Sequence, residues 1–343
     1  MYKLIRPILF LFSPETIHHS IVNLLRISKF IPFCSSIIRG LFKRKTTNLE
    51  REVFGIRFSN PLGFAAGFDK NAEIVNQLAD FGYSFIEVGT VTPQPQPGNP
   101  KPRCFRLPEN KAIINRMGFN SKGVDYMLRK LAKFKRRKGV VIGGNIGKNT
   151  VTANDEAPAD YTYSFVKLYS YVDYFTVNIS CPNVTDLCKL QNKDSIEAIL
   201  TPLMGHRKTQ EVYKPILVKL SPDLTLDQVD EQLDAAIALG IDGVVAVNTT
   251  TSREDIDPQK AEKVGSGGLS GAPLTKRALE MVSYISQKTE SKLPIVGVGG
   301  IMTEDDAVNM LKAGASLIQL YTGFIYQGPS FVKRINKRLI REL

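Results

Sequence analysis

Cysteine and histidine are scarce in this chain. Its 343 residues include four cysteines and three histidines, and no two cysteines form a C-x-x-C pair. That argues against a zinc module or a disulfide framework, and a reducing compartment is the simplest setting. Long apolar runs are missing as well, since no uncharged stretch approaches the roughly 18 residues of a membrane-crossing helix. What is present is the composition of an ordinary folded enzyme, 43% hydrophobic and 23% charged. At roughly 150 residues per domain the length suggests about two domains, although single barrels of about 250 residues or more are common.

The net charge of +12 is unevenly placed, because residues 1–45 hold eight Lys or Arg and a single acid, Glu15. Such an arm points to phosphate-bearing material, either lipid headgroups or nucleic acid. Met1 to Phe12 has the outline of a signal peptide, but its apolar run is too short and no small-residue cleavage site follows. Ser13-Pro14-Glu15 opens a helix, with a capping hydroxyl, a proline suited to the first turn and an acid at the positive end of the dipole. Ile17, Ile21, Leu24 and Leu25 lie on one face. After Pro32 a second segment repeats the pattern with Phe33, Ile37, Ile38, Leu41 and Phe42, ending in Lys43-Arg44-Lys45. Two apolar-faced helices flanked by cations fit a segment lying on a bilayer; a hairpin packed on the protein body would show the same stripe. Nucleic acid fits less well, because apolar residues rather than stacking aromatics interleave the charges.

Beyond residue 55 short apolar runs alternate with helical stretches. The runs are Pro61–Ala66, Ser84–Gly89, Val140–Asn145, Tyr174–Ile179, Pro215–Leu220, Gly243–Asn248, Pro294–Gly299 and Leu317–Tyr321. Their continuous Val, Ile and Phe content is that of parallel strands covered on both faces. Between them, Leu226–Leu239, Leu274–Gln287 and Glu304–Ala313 are amphipathic, with Thr225, Pro273 and Thr303 as starts and Gly240 and Gly314 as stops. Eight such units predict an α/β fold, a closed (β/α)8 barrel over residues 46–343 preceded by the helical extension 1–45. An open doubly wound sheet would need a glycine fingerprint after its first strand, and none is there. The proline-rich stretch 90–120 is read as a loop of the active-site rim and a candidate lid, and residues 180–194 as the other candidate lid.

In this fold chemistry sits at the C-terminal strand ends. Those ends carry Ala66-Gly67-Phe68-Asp69-Lys70, Thr90, Asn145, Asn178 to Asn183, Lys219, Asn248-Thr249, Gly299-Gly300 and Tyr321-Thr322-Gly323. Amides and lysines dominate. With no carboxylate pair and no histidine ligand set, glycosidase and metal-hydrolase chemistry have little to work with, and no metal is expected. The set suits a flat, carbonyl-rich, anionic ligand beside a phosphate-bearing cofactor, with the glycines after strands seven and eight as the phosphate site.

Six segments, in order along the chain, carry a resemblance. They are Asn60–Lys70, Gly89–Gly98, Pro102–Pro108, Asn115–Asn120, Gly267–Gly271 and Gly297–Gly300. Together they resemble dihydroorotate dehydrogenase in its membrane-associated, quinone-using class, and the match includes the two-helix extension. The resemblance implies an FMN enzyme that oxidises dihydroorotate to orotate for pyrimidine synthesis and passes electrons to quinone. It also implies a monomer, peripheral on the cytoplasmic face of the cell membrane. By the same resemblance Lys70, Asn115, Arg116, Met117, Gly118, Phe119, Asn178, Asn183, Asn248 and Thr249 would hold substrate. Lys219 would be the flavin-side lysine, with Ala66, Gly67, Phe68, Asp69, Lys70, Thr90, Asn145, Asn178, Gly271, Gly300, Tyr321 and Thr322 as further cofactor contacts. Val247 stands where relatives often carry Thr, so a contact there would use the backbone. His18 and Arg106 match residues lining a quinone tunnel whose inner end lies near Tyr321.

Cys181 is where the sequence departs from its class. Quinone-using relatives usually place Ser at this position, whereas the soluble class uses Cys as the base that takes a proton from the substrate. An unperturbed thiol ionises near pH ~8.5, much closer to neutrality than a hydroxyl. Cys34, Cys104 and Cys188 are expected to be structural. Cys181 also keeps open a soluble fumarate- or NAD-linked enzyme. The pI of 9.4 raises an RNA-base-reducing flavin barrel, against which the charge is concentrated in the apolar arm. A third alternative is an inactive membrane scaffold.

Overall fold

The computed structural model describes residues 2–44, 46–183 and 190–342. The chain begins with three helices, α1 (Tyr2–Phe10), α2 (Pro14–Ser28) and α3 (Cys34–Phe42). The two helices expected from Ser13 and after Pro32 are present, and α1 precedes them. Ser13 caps α2 by accepting from the Thr16 amide at 3.2 Å. Helix α1 contains Pro7 and is held by tertiary contacts instead. Tyr2 Oη donates to the Ile325 carbonyl at 2.5 Å and Arg6 to the Tyr326 carbonyl at 3.0 Å.

A hairpin of β1 (Arg51–Val53) and β2 (Ile56–Phe58) leads into the alternating part of the chain. There β3 (Leu62–Phe64), α4 (Val75–Asp80), β4 (Phe85–Val91), β5 (Cys104–Leu107), β6 (Ala112–Asn115), α5 (Val124–Ala132), β7 (Val141–Ile146) and α6 (Ala157–Leu168) follow one another. Next come β8 (Tyr174–Asn178), α7 (Lys193–Lys208), β9 (Ile216–Leu220), α8 (Leu226–Ala238), β10 (Gly243–Ala246), α9 (Pro258–Val264) and β11 (Gly268–Gly271). The chain closes with α10 (Thr275–Lys288), β12 (Ile295–Val298), α11 (Glu304–Lys312), β13 (Leu317–Leu320), α12 (Thr322–Gln327) and α13 (Phe331–Glu342).

Strands β3, β4, β7, β8, β9, β10, β12 and β13 form a closed parallel barrel in that order, and they match the eight apolar runs of the sequence. Thr225 and Thr303 each complete a capping box at the start of α8 and α11. The barrel interior is packed rather than hollow. Gly63 and Gly143 make room for it, since a Cβ at either would lie 2.2 Å from the ring of Phe85 or Tyr174. The β1–β2 hairpin stoppers the lower end, setting fully buried Phe58 edge-on against Phe85 at 5.3 Å. Burial of such a ring stabilises the fold by roughly 2–3 kcal/mol.

One expectation is corrected. The stretch 90–120 is not wholly loop, because β5 and β6 within it pair antiparallel and β11 joins them in a three-stranded sheet at the barrel rim. Leu107, Ala112, Ile114 and Leu269 form a small core of their own there, which is what stabilises strands embedded among prolines. The second expected lid falls partly outside the described residues, as does Cys188. Among the described residues no helix is long and apolar enough to cross a membrane. The extension nonetheless exposes large apolar side chains, with Leu4, Leu11, Phe30 and Phe33 each at least three-quarters exposed.

Candidate active site

One cavity of about 580 Å³ runs from α1 and α2 to the C-terminal ends of the barrel strands. His18 stands near its outer end; Cys181 and Lys219 line it at the barrel end. Strand register explains the inner wall, because Asn178 on β8 and Lys219 on β9 are paired partners at the same level of the barrel. Burial holds the Lys219 ammonium below the ordinary lysine range, partly offset by the charges of Glu87 and Cys181. Lys70 is pushed down to about 8 by burial first and by the Arg103 guanidinium second. Both lysines lie within electrostatic reach of the Cys181 sulfur.

The amides are oriented by a carboxyl inside the barrel. Glu87 is fully buried on β4 and accepts from Asn145 Nδ2 at 2.8 Å, Gln319 Nε2 at 2.7 Å, and the hydroxyls of Tyr174 and Thr176 at 3.1 Å. With its NH2 group committed to Glu87, Asn145 presents its oxygen to Thr90 Oγ1 and Asn178 Nδ2. Asn178 then accepts from Asn248 Nδ2 at 3.3 Å, and Asn248 Oδ1 accepts from the Thr249 amide at 2.8 Å. One acid at the bottom of this chain of bonds therefore decides which face each amide shows to the cavity. On the lid side Asn183 Nδ2 donates to Asn115 Oδ1 at 3.3 Å, and Asn183 Oδ1 accepts from the Gly268 amide at 3.2 Å.

The outer end is assembled from the extension, the β3–α4 loop, the end of the β4–β5 loop and β5. His18 Nε2–H donates to the Phe68 carbonyl at 2.8 Å, and burial pushes its imidazole down to about 4, so it is neutral at pH 7. Arg106 donates to the Phe12 carbonyl at 2.7 Å and lies 4.6 Å from the centre of the Phe10 ring. Arg103 pairs with Glu15 at 2.7 Å and donates to the carbonyls of Pro97 and Asn99.

Comparison with known proteins identifies the family. A family model described as dihydroorotate dehydrogenase matches residues 48–343. A Christiangramia forsetii protein named dihydroorotate dehydrogenase (quinone) is 50% identical over 343 residues, covering 100% of this chain and 99% of that one. A Halobacterium salinarum protein of the same name is 44% identical over 99% of this chain and 95% of its own. The crystal structure of DHODH from Eimeria tenella in complex with ferulenol superposes with a TM-score of 0.86 at 34% identity, covering 96% of this chain and 91% of that one. The chain belongs to the dihydroorotate dehydrogenase family.

The cavity gathers most of the residues expected from the sequence. The cavity is lined by Ala66 to Lys70, Thr90, Asn115, Met117, Gly118, Phe119, Asn178, Cys181, Asn183, Lys219, Val247, Asn248, Thr249, Gly271, Gly300, Tyr321 and Thr322, with His18 and Arg106 further out. Two expected contacts stand apart from it. Asn145 lies one hydrogen bond behind the wall. Arg116 turns away, donating to the carbonyls of Val264 and Ser266 at 2.8 Å each, because successive residues at a strand end point to opposite faces. The Val247 amide is spent on the Val298 carbonyl at 2.8 Å, so a backbone contact there would use the carbonyl. Asp69 accepts from the amides of Glu73 and Ile74 at 2.7 and 2.8 Å; it pins its own loop, and burial raises its carboxyl to about 6.

Three residues escaped the sequence reading. Asn120 accepts from Lys70 Nζ and aims it. Ser270 joins Thr322 through their hydroxyls at 2.8 Å. Glu87 is the third, and an acid within an otherwise apolar strand was its signal.

The family is flavin-dependent, and the residues present fit such a group. Gly300 has φ +68, and a Cβ there would lie 2.2 Å from Thr275 Cα, so only glycine allows the bare backbone beside Gly299 that a phosphate requires. Gln319 lines the same cavity, and its buried Oε1 has no hydrogen-bond partner among the described residues. Among the described residues there is no cluster of ligands for a metal ion.

Proposed function

We propose that this chain oxidises (S)-dihydroorotate to orotate in pyrimidine synthesis, with FMN as the bound flavin and a membrane quinone as electron acceptor. The observation that carries the reading is the single cavity joining the apolar, cation-flanked helices to Cys181 and Lys219. When bound, FMN would take hydride from the substrate and return the electrons to quinone. Residues Gly299–Gly300 and Tyr321–Gly323 would hold its phosphate, and Lys219 would stand beside its ring.

The chain's own residues supply the remaining requirements. Lys70 faces the substrate carboxylate as a cation, while Asn115, Asn178, Asn183, Asn248 and Thr249 meet its carbonyls and ring nitrogens through directional hydrogen bonds. Cys181 accepts the proton from C5 as the C6 hydride departs, so the substrate leaves two electrons and two hydrogens behind and becomes planar. His18 and Arg106 line the approach, the first as a neutral imidazole. Residues 1–45 rest on the cytoplasmic face of the cell membrane, and the protein acts as a monomer.

Cys181 supports a second reading, in which fumarate or NAD accepts the electrons. One experiment addresses both. The purified protein should be yellow, bleach anaerobically on addition of dihydroorotate, and recover its colour with a short-chain quinone but not with fumarate or NAD. Recovery with fumarate or NAD alone would replace quinone in the proposal, and a colourless protein that binds no FMN would end it.

A further inference from the structure

A second cavity, of about 840 Å³, lies between the α2–α3 turn, α4, α5 and the segment that follows α5. Seven cations line it: Arg26, Lys29, Arg129, Lys130, Lys133, Lys135 and Arg137. Glu73 is its one lining carboxylate among the described residues, and that group is already engaged by Tyr126 Oη at 2.5 Å and Lys122 Nζ at 3.1 Å, with Arg26 at 3.8 Å. Arg137 is paired with Asp80 at 3.0 Å. Among the described residues, Lys29, Arg129, Lys130, Lys133 and Lys135 form no ion pair within 4.0 Å, although charged pairs are plentiful elsewhere on the surface.

Part of the lining is aromatic. Lys130 lies 5.0 Å from the Tyr126 ring centre and Lys29 lies 4.7 Å from that of Phe30. Phe30 belongs to both surfaces, lining the cavity while being 76% exposed on the apolar tip with Phe33 and Ile37. Five like charges around one hollow repel each other until an anion enters. Arginines beside lysines suit phosphate oxygens in particular. A soluble phosphate would satisfy the charges but has no use for the adjoining apolar tip. A lipid phosphate uses both.

We infer that this cavity binds the headgroup phosphate of an anionic phospholipid whose acyl chains lie along the exposed tip of α2 and α3. The inference rests on the membrane reading above and adds lipid selectivity to it. It separates two tasks: apolar side chains supply insertion into any bilayer, and the cavity supplies preference for an anionic one.

Vesicle co-sedimentation tests the division, using phosphatidylcholine alone and phosphatidylcholine with phosphatidylglycerol. The full-length protein should favour the anionic vesicles. R129Q/K133Q should weaken that binding by roughly tenfold or more, at about fivefold per charge near the surface, while leaving binding to phosphatidylcholine and activity with a water-soluble quinone unchanged. K208Q/K337Q, which removes two exposed cations elsewhere, should lose clearly less. Equal losses from the two double variants would overturn the site in favour of diffuse charge. A thermal shift of the wild type with inorganic phosphate, abolished in R129Q/K133Q but without any vesicle preference, would overturn the lipid source. F30S/F33S tests the membrane reading separately: it should weaken binding to both vesicle types, and a wild type that binds neither would overturn that reading itself.

Discussion

Glu15 on α2 and Arg103, just before β5, form an ion pair at 2.7 Å with both side chains about nine-tenths buried. Arg103 Nη1 donates to the carbonyls of both Pro97 and Asn99, so the extension and the rim loop are clamped by one guanidinium. Removing one partner of such a pair leaves the other buried and uncompensated. Arg103→Ala should cost about 3 kcal/mol in chemical denaturation. It should also raise the KM for quinone more than that for dihydroorotate. An unchanged midpoint would mean that Lys101 and His19, the other partners near Glu15, carry the contact.

Cys181 is expected to be the proton acceptor. Cys181→Ala should retain flavin and slow its reduction by dihydroorotate by about 10²–10⁴-fold. Cys181→Ser should keep some activity with its pH optimum displaced upward, because a hydroxyl ionises far less readily. Stopped-flow reduction at several pH values reads both, and a near-normal rate for the alanine variant would remove Cys181 from the mechanism.

Lys70 gives a pH dependence with a definite sign. Its ammonium loses a proton around pH 8 rather than 10.5, so orotate affinity should be level below that point and fall by up to tenfold per unit above it. Lys70→Met should weaken binding and flatten the curve. For stability the sense is opposite. A lysine whose folded pKa is lowered penalises the fold fully below about 8, and the penalty is relieved as pH rises from there toward 10.5. Spectral titration with orotate checks the first statement and denaturation across the same range the second.

Glu87 leads the interactions that keep charge on Lys219 against the opposing effect of burial. Glu87→Gln should therefore move the alkaline limb of flavin reduction, measured at saturating dihydroorotate, to lower pH. Saturation separates this limb from that of Lys70, which acts on affinity. A limb that stays in place would leave Glu87 with the amides alone.

The barrel was legible because parallel strands covered on both faces print continuous apolar runs, and because the Thr225 and Thr303 capping boxes are local devices. The convergence of Lys70, Asn178, Cys181 and Lys219 followed from the fold's habit of gathering chemistry at strand ends. The β5–β6–β11 sheet was hidden, since its strands are short, lie among prolines, and include a partner from a distant part of the chain. Helix α1 was hidden by Pro7 and by dependence on Ile325 and Tyr326 for its anchorage. The outward turn of the Arg116 side chain was hidden as well, because proximity in sequence to Asn115 says nothing about the face on which a side chain emerges.

Glu87 collects its donors from Asn145 on β7, Tyr174 and Thr176 on β8, and Gln319 on β13. It is thus a keystone shared by three other staves of the barrel, and none of them can drift on its own. A descendant that exchanged this acid for a neutral residue would need compensating changes on several staves together, so the position should evolve in concerted jumps rather than by single steps.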